Sequence, residues 1–249
     1  AADPYILGLS DFNYGQQAES WAAYGQTTYA VTEQFDLTLG IRYTEDEKEA
    51  FLYTQTIPVN PITGEVYSKD SPITADDKWD NISYKINGNY AITDDVSVYL
   101  TYATGYNGGG FGARASNVLA FQTPFEEEEV ETWELGLKSE FWDNRVRFNA
   151  AIFTNDYTDI QIAQFEAGSG GASSRIVNAG QGTYEGFEFD VVVVPVDGLT
   201  IDMTYGYLDA EFDEYLAFNP ATRVLEDISD NTTVAQAPEN TASLGVQYD

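Results

Sequence analysis

The chain has 249 residues, with 11 Lys and Arg against 41 Asp and Glu and a formal charge of −30. So acidic a protein excludes nucleic acid as a partner, because phosphate binding needs a basic face. It contains neither Cys nor His. Disulfides, zinc-thiolate sites, thiol nucleophiles and the usual general base are therefore excluded too.

The opening stretch, AADPYILGLSDFNYG, lacks the basic start and apolar core of a signal peptide. Either a leader has been removed or the sequence begins inside a longer protein. No run of 18 apolar residues follows, so no helix is predicted to span a membrane. That leaves barrels open, since a barrel strand is short and half polar.

Strands are predicted over residues 18–31, 34–45, 79–92, 96–106, 130–141, 145–157, 175–194, 199–210 and 239–249. In the second, Phe35, Leu37, Leu39, Ile41 and Tyr43 alternate with Asp36, Thr38, Gly40, Arg42 and Thr44. Successive side chains in a strand point to opposite faces, so this segment has one apolar and one polar face. Ile82, Tyr84, Ile86, Tyr90 and Ile92 repeat the pattern, as do Val96, Val98, Leu100 and Tyr102. In ETWELGLKSEFWDNRVRFNAAIF, Trp133, Leu135, Leu137 and Phe141 form one stripe. Val146, Phe148, Ala150 and Ile152 form the next, beyond an Asp143-Asn144 turn. Taken alone, that hairpin also fits a soluble sandwich. Phe187, Phe189, Val191 and Val193, then Ile201, Met203, Tyr205 and Tyr207, then Leu244, Val246 and Tyr248 continue the series.

The connections fall into two kinds. Thr32-Glu33-Gln34, Thr93-Asp94-Asp95, Asp143-Asn144 and Pro195-Val196-Asp197-Gly198 are short. Between them lie long segments rich in Gly, Pro, Asn and acidic residues: roughly 46–77, 105–129, 159–175 and 211–238. Short and long connections alternate, as at the two rims of an outer-membrane barrel. The polar stripes carry Arg42, Lys85, Glu134, Lys138, Arg147, Glu188, Asp190 and Asp202, which suit a wet or plugged lumen rather than a dry core. Aromatics such as Tyr102, Trp133, Phe141 and Trp142 gather near strand ends, where barrels place their girdles. The fold class expected is all-β: part of an antiparallel transmembrane β-barrel, about nine strands, with short periplasmic turns and long extracellular loops.

Several stretches, in this order, resemble the barrel domain of TonB-dependent outer-membrane receptors: VYLTYATGYNGGGF, ETWELGLKSEFWDNRVRFNAAIFTNDYTDIQI, IVNAGQGTYEGFEFD and GLTIDMTYGYLDAEF. QAPENTASLGVQY and AESWAAYGQTTYAVTEQFDLTLGIRYTEDEKE resemble flanking family strands, so the likeness covers nearly the whole chain. The resemblance implies a 22-stranded barrel around an N-terminal plug, importing a scarce nutrient with energy delivered through TonB. It further implies the outer membrane of a Gram-negative bacterium, with outer-membrane lipid and lipopolysaccharide as surroundings. A ferric siderophore is the leading ligand, a vitamin or oligosaccharide the others. No plug segment, TonB box or closing strand is recognisable, so residues 1–249 read as a central part of such a barrel. A structural or adhesive surface β-protein and a passive porin are the alternatives.

No catalytic residue, metal site or cofactor is assigned. GGGFGARA (108–115) fails as a dinucleotide fingerprint because no helix follows it. It reads as a mobile surface loop or as a ligand-contacting one, with Tyr106, Asn107 and Arg114 as the contact candidates. Arg114 is a lone cation beside acidic sequence, and its planar donor fork suits an anionic iron chelate. Glu126-Glu127-Glu128-Glu129 reads as a solvated strand entry.

Overall fold

The computed structural model describes residues 7–59, 72–115, 118–168, 171–219, 221–222 and 224–249. Nine strands form an antiparallel meander: β1 (Leu7–Ala30), β2 (Phe35–Val59), β3 (Ile73–Thr93), β4 (Val96–Asn107), β5 (Glu128–Phe141), β6 (Val146–Thr158), β9 (Gly180–Val196), β10 (Leu199–Asn219) and β12 (Asn240–Tyr248). A separate hairpin, β7 (Gln161–Gly168) with β8 (Gly171–Asn178), lies between β6 and β9. A short β11 (Val224–Asp227) pairs with the far end of β10. The single α-helix described, α1 (Val118–Gln122), lies between β4 and β5.

The ladder register tests the two faces directly. Leu100, Leu135, Ile152, Phe187 and Tyr207 form one cross-strand row. Val98, Leu137, Ala150, Phe189 and Tyr205 form the next, followed by Ser139, Phe148, Val191, Met203 and Leu244. Phe141, Val146, Val193, Ile201 and Val246 complete the band. Leu135, Ile152, Leu244 and Val246 are about half or more exposed in the isolated chain, as a lipid-facing wall requires. The opposite face carries Lys138, Asn149, Asp190, Thr204 and Ser243 in one row. There Asn149 donates to both oxygens of Asp190 at 3.1 and 3.2 Å, and the Arg147 guanidinium lies 4.0 Å from the same carboxylate. From Phe141 to Trp133 is nine residues, the length a tilted strand needs to cross the hydrocarbon.

All four predicted short turns lie at one rim. The turn between β5 and β6 runs through left-handed backbone at Trp142, Asp143 and Asn144, with φ 59°, 55° and 62°. Asp and Asn tolerate that region, whereas for Trp142 it is unusual.

One predicted strand and three predicted loops are corrected. The strand expected over 175–194 is two strands, because the chain changes partners at Ala179: β8 pairs with β7, and β9 with β6. Residues 178–183 (Asn-Ala-Gly-Gln-Gly-Thr) are small or polar, so no apolar stripe marks the change. The segments read as loops at 46–77 and 159–175 are largely strand as far as they are described, and the one at 211–238 is strand over 211–219 and 224–227; residues 60–71 lie outside the described residues. Above the membrane both faces of a strand meet water. The apolar stripe stops there while the hydrogen-bonded ladder continues.

Candidate functional site

The extracellular half of the polar face carries the main buried cluster of the described residues. Ala50, Leu52, Trp79, Phe111 and Phe121 are almost wholly enclosed, with Tyr14, Ile73, Ala75 and Ala115 packed around them. Ala50, Leu52 and Trp79 belong to the wall and share the polar face by register. Phe111 and Phe121 come from the segment joining β4 to β5. That segment therefore folds inward, against the inside of the wall.

Glycine makes this approach possible. Gly110 and Phe125 exchange backbone hydrogen bonds at 3.0 and 2.9 Å, closing the segment on itself. A Cβ at Gly109 would lie 2.3 Å from both the Phe125 carbonyl oxygen and the Trp79 indole nitrogen. Gly108 to Gly110 thus serve close packing, in contrast to the mobile loop that composition suggested.

Polar anchors hold the same segment. The Lys48 ammonium donates to the carbonyls of Gly108, at 3.3 Å, and Gly109, and sits 5.5 Å from the Trp79 ring centre. Burial lowers its pKa, and the neighbouring Asp46 acts the other way. Trp79 Nε1 donates to Glu126 Oε2 at 3.2 Å. The Tyr106 hydroxyl donates to Asp46 Oδ2. Burial, that hydrogen bond and the Asp46 charge together push its pKa well above the ordinary tyrosine value.

The β7–β8 hairpin is stitched to this segment by two amides that face each other in its ladder, Gln161 and Asn178. Gln161 donates to the carbonyls of Asn107 and Glu126, both at 3.1 Å, and accepts from Asn107 Nδ2 at 3.2 Å. Asn178 accepts from the Glu126 backbone at 2.7 Å and donates to the carbonyls of Glu126 and Asp159 at 2.9 Å.

The three predicted contact residues are thus separated in role. Tyr106 is engaged with Asp46 and Asn107 with Gln161. Arg114 is exposed and makes no hydrogen bond or ion pair among the described residues. Its neighbours along the chain, Val118 and Leu119, are 50% and 75% exposed, between the two buried phenylalanines. Lys48, Trp79, Gln161 and Asn178 were not legible as site residues. All lie in, or at the edge of, stretches whose composition reads as loop or ordinary strand.

An apolar outer band, a charged inner face and an inward-folded extracellular segment define the wall of an outer-membrane receptor barrel. The family model for the TonB dependent receptor-like β-barrel matches residues 1–249, and the chain belongs to that family, whose place is the Gram-negative outer membrane. A probable TonB-dependent siderophore receptor, PiuA, of Acinetobacter baumannii is 27% identical over 205 residues, covering 80% of this chain and 25% of the relative. The pesticin receptor of Yersinia enterocolitica is 29% identical over 209 residues, covering 84% and 28%. The chain thus spans about a quarter of the length of these curated relatives. Among solved structures, the ferric yersiniabactin uptake receptor FyuA of Yersinia pestis matches with a TM-score of 0.68 at 21% identity, covering 95% of this chain and 32% of that one. The A. baumannii PiuA structure gives 0.69 at 22% identity, covering 94% and 32%. At these identities the structural likeness establishes the fold.

Proposed function

We propose that this chain forms part of the wall of an active importer that takes up a ferric siderophore with energy supplied by TonB, acting on a plug elsewhere in the receptor. Membership of the family and the siderophore receptors among its relatives support that reading. The observation that carries it on this chain is the anchored segment between β4 and β5. Two buried phenylalanines and Lys48 hold its ends to the inner wall, so Arg114, Val118 and Leu119 are presented on a fixed base. A guanidinium carried on an anchored backbone beside exposed aliphatic groups suits a chelate with anionic oxygens and an apolar body, because the backbone need not be ordered on binding. The nearby carboxylates disfavour a free polyanion, whereas a chelate carries its negative charge offset by the metal.

The test is binding and uptake of a panel of ferric chelates, vitamins and oligosaccharides by the full-length receptor and by the Arg114→Ala, Leu119→Ser double variant. Loss of ferric-chelate binding by roughly tenfold, with uptake abolished when TonB is deleted, is the expected result. Unchanged binding and uptake in the double variant place the contacts elsewhere in the receptor. Uptake that persists without TonB removes the importer reading itself.

A further inference from the structure

The charges of the polar face are unevenly spread. On β5, β6, β9 and β10 that face carries Glu134, Glu140, Glu188, Asp190 and Asp202. Its two cations have acidic neighbours. Arg147 lies opposite Glu140 and 4.0 Å from Asp190, and Lys138 shares a row with Asp190. The adjoining wall, β1 to β4, is the reverse. Over residues 20–30, 38–44, 79–91 and 97–103 its polar face carries Arg42 and Lys85 and no carboxylate. Arg42 faces Ser83 and Lys85 faces Gly40, so the two cations are diagonal neighbours, with Cα atoms about 7–8 Å apart. Arg42 Nε donates to Thr44 Oγ1 at 2.9 Å, and the guanidinium sits 6.0 Å from the Tyr24 ring centre. Neither cation has an ion pair among the described residues, and Lys85 has no hydrogen bond among them. The nearby hydroxyls and amides engage one another: Thr28 with Thr38, and Asn87 with Thr101, both at 2.8 Å. Lys48, which clasps the anchored segment, stands above Arg42 on the same face of β2, about 20 Å along the strand.

We propose that the β1–β4 wall, with Arg42 and Lys85 as its contact points, is the path that an anionic ferric chelate follows through the lumen once the plug yields. This rests on the importer reading above and adds where within the barrel the cargo passes. Cationic side chains inside a pore admit anions, and a wall of carboxylates repels them. Hydrocarbon backs the wall, so an uncompensated charge facing the lumen is screened less than one at an open surface. Among the described residues, only the β1–β4 side offers an anion such a charge at membrane depth. The path also begins at the anchored segment, because Lys48 and Trp79, which hold that segment, belong to β2 and β3. A chelate leaving the segment therefore meets Arg42 and Lys85 next, on the same two strands. Their diagonal spacing lets them engage separate oxygens of one chelate.

The experiment uses the full-length receptor in cells with and without TonB, and an anionic ferric tris-catecholate as probe. The Arg42→Gln, Lys85→Gln double variant should keep equilibrium binding within about twofold, which reports folding, and lower TonB-dependent uptake about tenfold. Lys138→Gln, on the acidic wall, should leave both unchanged. A second readout needs no chelate. Ser83→Cys, opposite Arg42, should react in energised cells about fivefold faster with an anionic methanethiosulfonate than with a cationic one. Thr204→Cys, opposite Asp190, should show the reverse order. Adding the double variant should abolish the anionic preference at Ser83→Cys. Uptake that survives the double variant, an equal loss in Lys138→Gln, or labelling of Ser83→Cys without an anionic preference overturns the proposal. So does TonB-independent entry of a bulky antibiotic through the double variant, which assigns both cations to carboxylates that retain the plug. Wild type that takes up the probe without TonB fails the importer reading itself. Wild type that takes up none of it leaves the labelling order to decide the path.

Discussion

Gly109 is the most tightly enclosed glycine of the anchored segment. An added methyl meets a backbone carbonyl and the Trp79 ring, and the carbonyl cannot rotate aside. Gly109→Ala should therefore unseat residues 108–122 at a cost of roughly 1–3 kcal/mol. Faster hydrogen exchange in that segment alone, with the barrel ladder unaffected, is the expected signature. Gly112, where a Cβ meets nothing within 4 Å, is the control. Asp227 makes a pH-dependent contribution in the β10–β12 connection. It accepts the backbone N–H groups of Tyr215 and Ser229, both at 3.0 Å. Those hydrogen bonds hold its carboxyl below the ordinary value of 3.8. A depressed carboxyl contributes stability above its unfolded pKa and loses it as pH falls through the folded one. This connection should hold at neutral pH and loosen below about pH 4. A spin label on Thr233→Cys, unique in a chain without cysteine, should gain mobility over that range and not in an Asp227→Asn variant.

At the scale of elements, the β7–β8 hairpin and the β4–β5 segment form one unit. The hydrogen bonds described between them run from Gln161 and Asn178 to Asn107, Gly108 and Glu126–Glu128. Asn178 alone donates twice at 2.9 Å and accepts once at 2.7 Å, so its removal leaves several backbone groups unpaired. Asn178→Ala should release the hairpin while Phe111 and Phe121 stay seated, because the apolar cluster does not involve it. Proteolytic nicking between residues 161 and 178, without nicking at 108–122, is the outcome that supports two separable attachments. Simultaneous nicking of both means that the amide stitch also holds the inward fold.

Across the whole molecule, the two faces of the sheet demand opposite chemistry. Leu137 sits in the middle rows of the apolar band, and Leu137→Arg should cost roughly 2–4 kcal/mol in lipid. Lys138, one residue along, lies on the polar face 5.4 Å from the Tyr99 ring centre, and its exchange for leucine should be far milder. Folding titrations into bilayers compare the two. A larger loss for Lys138→Leu would reverse the assignment of faces. These faces were legible because lipid on one side and a wet lumen on the other impose period two wherever a strand crosses the membrane. Leu135, Leu137, Phe148 and Val191 display that period in the sequence itself, and the Asp143-Asn144 turn and its three counterparts punctuate it. Sequence alone therefore determined the strand class, the inside and outside of the wall, and the rim with short turns. Tertiary structure alone decided that β2 and β10 run on beyond the membrane, that the chain switches partners at Ala179, and that Phe111 and Phe121 turn back onto Trp79. The physical reason is the same in each case. Outside the bilayer no single environment acts along a strand, so conformation there depends on contacts between residues far apart in sequence: Lys48 with Gly108, Asp46 with Tyr106, Gln161 with Asn107.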